Sequence, residues 1–301
     1  MLNYKGIDME KLTDISNRIR DRVKDLREMT IISVAIFGSS ARNEEYTGSD
    51  IDLLVVADGI PNDVVQRVSD IVRIKRTFDL RIPLDVLLVS KDECQSNFRN
   101  HNPLYLDIAI DGKIVYDTGF LETLVRETRE YISSSGIRHS DGSWSFPVED
   151  RTVTYLSKVS NKEWALSWLA DGKRDLLAAE HLLSVSLYEK SVYHCQQAVE
   201  KAIKAVLAAW GEFKRSHFVA ETLRMECENR QLGEWKENLL KVADIGDSTE
   251  SQVSMSRYPR LVDDVIWRPY ERYDGDIAKE YIGKAEFVIR ICDQFVGWWF
   301  R

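Results

Sequence analysis

The sequence predicts two folded parts, an α/β part followed by an all-helical part. Three observations carry this. Up to about residue 118, short apolar runs of strand length alternate with stretches of helical period. From Ser133 to about Ser160 the composition turns rich in Ser, Gly and Asp, as a linker or long loop would. From Asn161 on, nearly every apolar residue falls at helical spacing. A length of 301 residues suits two domains, and 44% apolar residues are ample for two cores.

In chain order, residues 8–28 read as a charged amphipathic helix with Ile15, Ile19, Val23 and Leu26 on one face. A strand over 31–37 follows, then a Gly38-Ser39 turn, a short helix beginning at Ser39 and Ser40, and a second strand over 51–57. Pro61 and Asp63 open a helix to about Phe78. A third strand spans 82–89. Ser90 and Glu93 then form a capping-box pattern, and GKIVYD (112–117) reads as a last short strand or turn. The helical stripes over 162–185, 189–210 and 276–300 are core faces of a bundle.

The chemistry is concentrated in one stretch. Gly38 allows a sharp turn and close approach of backbone to a ligand. The free N–H groups of the short helix attract phosphate, and Arg42 stands close by. Ser49, Asp50 and Asp52 then open the second strand. Alternate residues of a strand share a face, so Asp50 and Asp52 point the same way. Two such carboxylates repel unless a cation lies between them, and hard oxygen ligands suit Mg²⁺. Asp85, an acid inside the apolar run IPLDVLLVS, completes a three-carboxylate set if its strand lies beside that of Asp52.

Residues 31–89 resemble the minimal nucleotidyltransferases of the polymerase-β-like superfamily through Gly38, Ser39, Asp50, Asp52 and Asp85. The resemblance implies a mixed sheet flanked by helices. It implies transfer of a nucleoside monophosphate from an NTP, ATP first among them, with release of pyrophosphate. It also implies Mg²⁺, expected as two ions. Gly38, Ser39, Ser40, Arg42 and Ser49 would hold the nucleotide. Asp50, Asp52 and Asp85 would bind metal, Asp85 alternatively serving as base toward the acceptor hydroxyl.

The second part has its own resemblance. SVYHCQQAVEKAIKAVLAAWG (191–211) is an amphipathic helix ending at Gly211. On spacing its polar residues, Gln196, Gln197, Glu200, Lys201 and Lys204, read as a solvated face. The block resembles the second helix of the HEPN family. Ala165–Leu183, Ser216-His217 and Ser256-Arg257-Tyr258-Pro259 fit the rest. The resemblance implies an up-and-down helical bundle, commonly dimeric. Ribonucleases of that family use an Arg–His pair. Here Arg174 and His181 have that spacing, but in the wrong helix and without the associated tyrosine. Lys201, Arg257 and Tyr258 are the candidate contacts to acceptor or nucleotide.

The domain boundaries expected are 1–118 for the nucleotidyltransferase part, 119–160 for a helix and linker, and 161–301 for the helical bundle. A net charge of −8 argues against broad nucleic-acid binding, so RNA is not the favoured partner. No signal peptide or membrane span is evident, and the four scattered cysteines form no zinc pattern. The expected protein is cytoplasmic and homodimeric, with an NTP and a hydroxyl acceptor, small molecule or protein, as substrates. The alternatives are a toxin–antitoxin type regulator and a non-catalytic nucleotide-binding module.

Overall fold

The computed structural model describes residues 9–42, 50–80 and 82–301. The chain divides into two compact units, Met1–Gly136 and Ile137–Arg301.

The first unit opens with α1 (Met9–Arg22), which leads to β1 (Thr30–Phe37), a single helical turn α2 (Ser39–Arg42) and β2 (Ile51–Asp58). Then come α3 (Val68–Phe78), β3 (Leu84–Val89), α4 (Lys91–Arg99), α5 (Pro103–Asp111), β4 (Lys113–Asp117) and α6 (Phe120–Ser134). The sheet order is β3-β2-β1-β4. β2 and β3 are parallel and the other pairings antiparallel, so the sheet is mixed.

Both faces are buried, which explains why β1 and β2 read as near-continuous apolar runs. One face carries Val34, Ile36, Ile51, Leu53 and Val55 against α1 and α3. The other carries Ala35, Phe37, Leu54 and Val56 against α4, α5 and α6. The helix 120–134 thus packs on the sheet of the first unit, and its residues Leu121, Leu124 and Val125 are part of that core.

Two buried polar devices hold this unit in place. Arg67, 2% exposed, donates to the carbonyls of Pro61, Asn62 and Leu88 and makes a two-pronged pair with Glu93 at 2.7 and 2.8 Å. All five guanidinium donors are therefore satisfied. Glu93 also closes the predicted capping box of α4 on Ser90. At the other edge, the Asp117 carboxylate accepts from Ser33 and from the backbone N–H groups of Leu121 and Glu122, starting α6.

The second unit is built on α7 (Asn161–Ser184), α8 (Tyr188–Ala209), α9 (Ala220–Asn229), α10 (Trp235–Glu250), α11 (Gln252–Met255) and α12 (Gly275–Trp299). Ser160 and Glu163 form a capping box at the start of α7. Gly172 brings α7 against α8; a Cβ there would sit 3.2 Å from the Ala198 carbonyl oxygen. Trp210, Phe295 and Trp299 stack edge to face at the far end of the bundle.

The Ser/Gly/Asp-rich run over 133–160, expected as linker or long loop, holds two short strands, β5 (Arg138–Ser140) and β6 (Ser143–Ser145). They form a three-stranded sheet with β7 (Glu212–Lys214), in the order β5-β6-β7. Trp144 and Phe146, two aromatics whose presence in so polar a run suggests that part of it packs, are buried. Strands of three residues carry too little alternation to show in a sequence, and their pairing partner lies beyond α8. A separate hairpin, β8 (Arg260–Val262) and β9 (Val265–Trp267), precedes α12. Among the described residues, no helix is long and apolar enough to cross a membrane.

Candidate active site

The sheet register decides how the acids meet. β1 delivers Phe37 opposite Asp52, and β2 delivers Asp52 opposite Asp85. The two acids are therefore neighbours on parallel strands, on the face that farther along holds Leu54, Leu87 and the helices α4 to α6. They lie at the beginning of their strands. Asp52 is half-buried, while Asp50 and Asp85 are exposed. Asp50 precedes β2 by one residue and lies next to the backbone bond from Ile51 N–H to the Pro83 carbonyl.

Gly38 ends β1 in the left-handed region, with φ +72°. A Cβ at this position would collide with Oδ2 of Asp52, and would lie 3.1 Å from its Cγ. Glycine is required twice over, by its φ and by the carboxylate lying against its Cα. Ser39 begins α2. Ser40 is buried, and its hydroxyl donates to the Asp50 carbonyl at 3.4 Å, tying the turn to the acid-bearing segment. Since α2 is one turn long, its pull on an anion comes from free N–H groups rather than a summed dipole. Arg42 pairs with Asp111 at 3.6 Å and is partly exposed. Ser49 lies outside the described residues.

The donor set fits a hard cation that is only partly coordinated by protein. Among the described residues, no three acid, His or Cys side chains converge as a ready-made metal cage. Mg²⁺ commonly uses one or two carboxylates, keeps several waters and shares substrate phosphates. Asp52 and Asp85 side by side, open to solvent and backed by a cradle that a Cβ would fill, suit a cation that arrives with its nucleotide.

In the second unit, the polar face of α8 is not solvated as its spacing suggests. Gln196, Glu200 and Lys204 are buried. Glu200 accepts from Gln196, from Lys204 at 2.8 Å and meets Nδ1 of His217 at 2.9 Å. Lys204 also lies over the Trp168 ring. The i,i+4 pair of Glu200 and Lys204 forms, but inside a network that draws in His217 from the segment before α9. Spacing along one helix carries no information about that partner. Lys201 is held between Asp171 and Asp175, each at 2.6 Å, and Asp175 also meets Nδ1 of His194. Burial by itself lowers the Lys201 pKa; the two aspartates outweigh it and raise it. Arg257 stacks on Tyr193 and on Tyr258, and Tyr258 is 55% exposed. Arg174 and His181 are both exposed on α7.

A mixed sheet with a glycine turn against paired acids, followed by a helical bundle, defines a nucleotidyltransferase-type domain joined to a helical one. The family descriptions that match agree. "Nucleotidyltransferase domain" matches residues 16–116, and "HEPN domain" matches residues 165–295. "Putative toxin MJ1304" of Methanocaldococcus jannaschii is 35% identical over 137 residues, which is 45% of this chain and 90% of that protein. "Putative protein adenylyltransferase MJ0126" of the same organism is 32% identical over 109 residues, 36% of this chain and 99% of that protein. Among solved structures, "ST0689, an archaeal HEPN homologue" is 28% identical with a TM-score of 0.33, over 44% of this chain and 96% of that one. The chain belongs to the nucleotidyltransferase–HEPN family, with both domains in one polypeptide.

Proposed function

We propose that the N-terminal unit transfers a nucleoside monophosphate from an NTP, ATP first among them, to the hydroxyl of a protein. The observation that carries this is the register placing Asp52 beside Asp85, with Gly38 closing on the Asp52 carboxylate. Bound Mg²⁺, as one or two ions, supplies charge stabilisation to the phosphates and to the pentavalent transition state. Asp52, with Asp50 before it and Asp85 beside it, would hold the cation and with it the triphosphate. The turn from Gly38 through Ser40 gives backbone N–H groups to the phosphate oxygens. The acceptor oxygen attacks the α-phosphorus, its proton passing to a carboxylate oxygen of Asp85. The bond from the α-phosphorus to the bridging oxygen breaks, and pyrophosphate leaves with that oxygen. Alignment and electrostatic stabilisation account for most of the rate in such a reaction.

A protein acceptor is favoured over a small molecule by the names of the relatives, a protein adenylyltransferase and a toxin. On this reading the chain acts in a toxin–antitoxin type system, and Lys201, Arg257 and Tyr258 are candidate contacts of the second unit to a protein acceptor. The HEPN unit acts as a partner-binding element, since Arg174 and His181 are exposed on α7, the first helix of the unit, where the associated tyrosine is absent.

Intact-mass spectrometry of the chain incubated with Mg²⁺ and each NTP, then with cell extract, tests this. A nucleoside-monophosphate adduct on the chain or on an extract protein, absent with Asp52→Ala, is the expected result. Undiminished adduct formation by Asp52→Ala overturns the site assignment.

A further inference from the structure

The chain has five histidines, and their surroundings differ. His101 stacks flat on Tyr131, and His139 stacks on Trp144. His181 is exposed on α7. His194 meets Asp175 from within α8, its ring edge to face with that of Tyr193, and it is 32% exposed. His217 combines two properties. A buried carboxylate, that of Glu200, holds its Nδ1, and its side chain is 57% exposed.

Glu200 is 6% exposed, and Lys204 at 2.8 Å already supplies the opposite charge. His217 is therefore not needed as a cation to balance it. The two Glu200 oxygens lie 3.1 and 2.9 Å from Nδ1 of His217. A carboxylate only accepts hydrogen bonds, so in the neutral ring the proton is on Nδ1 and the lone pair is on Nε2. The same contact orients the ring. The segment is anchored on both sides. Before it, β7 pairs with β6. After it, Glu250 accepts from the N–H groups of Val219 and Ala220. Ser216 also accepts from the N–H of Phe218. The result is an unprotonated ring nitrogen, oriented by a third group as an activated nucleophile is, on a fixed and exposed stretch of chain. Lys214 and the exposed Arg215 bring positive charge toward an anionic donor.

We propose that His217 is a nucleotidylation site, its Nε2 taking a nucleoside monophosphate from the NTP as a phosphoramidate. The proposal rests on the transferase reading of the first unit and adds an imidazole to the hydroxyl acceptor. The Nε2 lone pair forms a bond to the α-phosphorus. The bond from that phosphorus to the bridging oxygen breaks, and its electron pair leaves with pyrophosphate. The ring becomes a cation whose Nδ1 proton stays on the bond to Glu200, and the carboxylate balances the new charge. A hydroxyl has to lose a proton as it attacks, whereas Nε2 has none to lose and needs no base.

The full chain, incubated with Mg²⁺ and each NTP labelled in the α-phosphate, with and without cell extract, tests this. A phosphorus–nitrogen bond to imidazole breaks in acid and survives alkali, whereas a phosphate ester of a hydroxyl survives acid. Label on the chain that acid removes and alkali leaves is the expected result. His217→Asn keeps a side-chain N–H for Glu200 and removes the nucleophile. It should lower that label at least about tenfold while label on extract proteins stays unchanged. Asp52→Ala should lose both. Acid-labile label that His217→Asn leaves undiminished overturns the proposal, and so does a chain carrying only acid-stable label. An unlabelled chain beside labelled extract proteins overturns it too, and leaves the transferase reading standing. Absence of label and of pyrophosphate under every condition removes both.

Discussion

Asp52 and Asp85 stand side by side on adjacent parallel strands, so two carboxylates belonging to different hydrophobic runs share one face of the sheet. Neighbouring strands are about 4.8 Å apart, a distance at which like charges oppose each other and favour a cation between them. Asp85→Asn should therefore raise folding stability slightly, by about 0.5 kcal/mol, while reducing nucleotidyl transfer at least about a hundredfold. Thermal unfolding and pyrophosphate release, measured on the same preparation, separate the two effects.

Gly38 makes a second expectation quantitative. An Ala there must adopt a positive φ and push its Cβ into the Asp52 carboxylate. Gly38→Ala should cost about 1–3 kcal/mol of stability and abolish transfer by displacing Asp52. Denaturant unfolding followed by an activity assay on the folded fraction checks both.

Metal and nucleotide should bind together. No ready-made cage of three ligating side chains exists among the described residues. Mg²⁺ alone should leave the melting temperature nearly unchanged, and Mg²⁺ with NTP should raise it by several degrees. Chelation should remove that shift without unfolding the protein. A large stabilisation by Mg²⁺ alone would contradict this.

Arg67 predicts a structural loss far from the acids. Removing it leaves Glu93 without its partner and three carbonyls without a donor. Arg67→Ala should destabilise the first unit by about 3–5 kcal/mol. Arg67→Lys should recover only a part, since an ammonium cannot reproduce the fork. Urea unfolding gives both values.

Acid should weaken the same unit. The hydrogen bonds from Arg67 hold the Glu93 pKa below its usual value, against the opposing effect of burial. Burial alone would raise the pKa of Asp117, but hydrogen bonds from Ser33 and the start of α6 outweigh it and lower it. A depressed folded-state pKa means the unfolded chain takes up protons first. The stabilisation is complete above the ordinary carboxylate range of about 4 and is lost as pH falls through the lower folded values. Melting temperature against pH should drop below about pH 4, less steeply in Glu93→Gln.

Much of the candidate site was legible because it is local. The strand of residues 31–37, the Gly38 turn and the alternation of Asp50 and Asp52 are written within about two dozen residues. The pairing of Asp52 with Asp85 was legible only as a condition, since the parallel register depends on packing of the intervening α3. Arg67 carried no signal, because a buried arginine and a surface arginine look alike until the partners arrive from Pro61, Leu88 and Glu93. The same holds for the α8 network, where Gln196, Glu200 and Lys204 of an apparently wet face are buried and His217 joins them from outside the helix. The β8–β9 hairpin did leave a trace, two acids between apolar pairs, but a turn of Asp263 and Asp264 is a weak form of the usual Asn-Gly signal.

The most direct test of the central claim is release of pyrophosphate from ATP in the presence of Mg²⁺ and cell extract, with label from the α-phosphate followed onto protein. The account predicts label on protein and stoichiometric pyrophosphate with the wild type, and neither with Asp52→Ala or Asp85→Asn. Equal labelling by the wild type and both variants would contradict it, and so would release of pyrophosphate without any transfer of label.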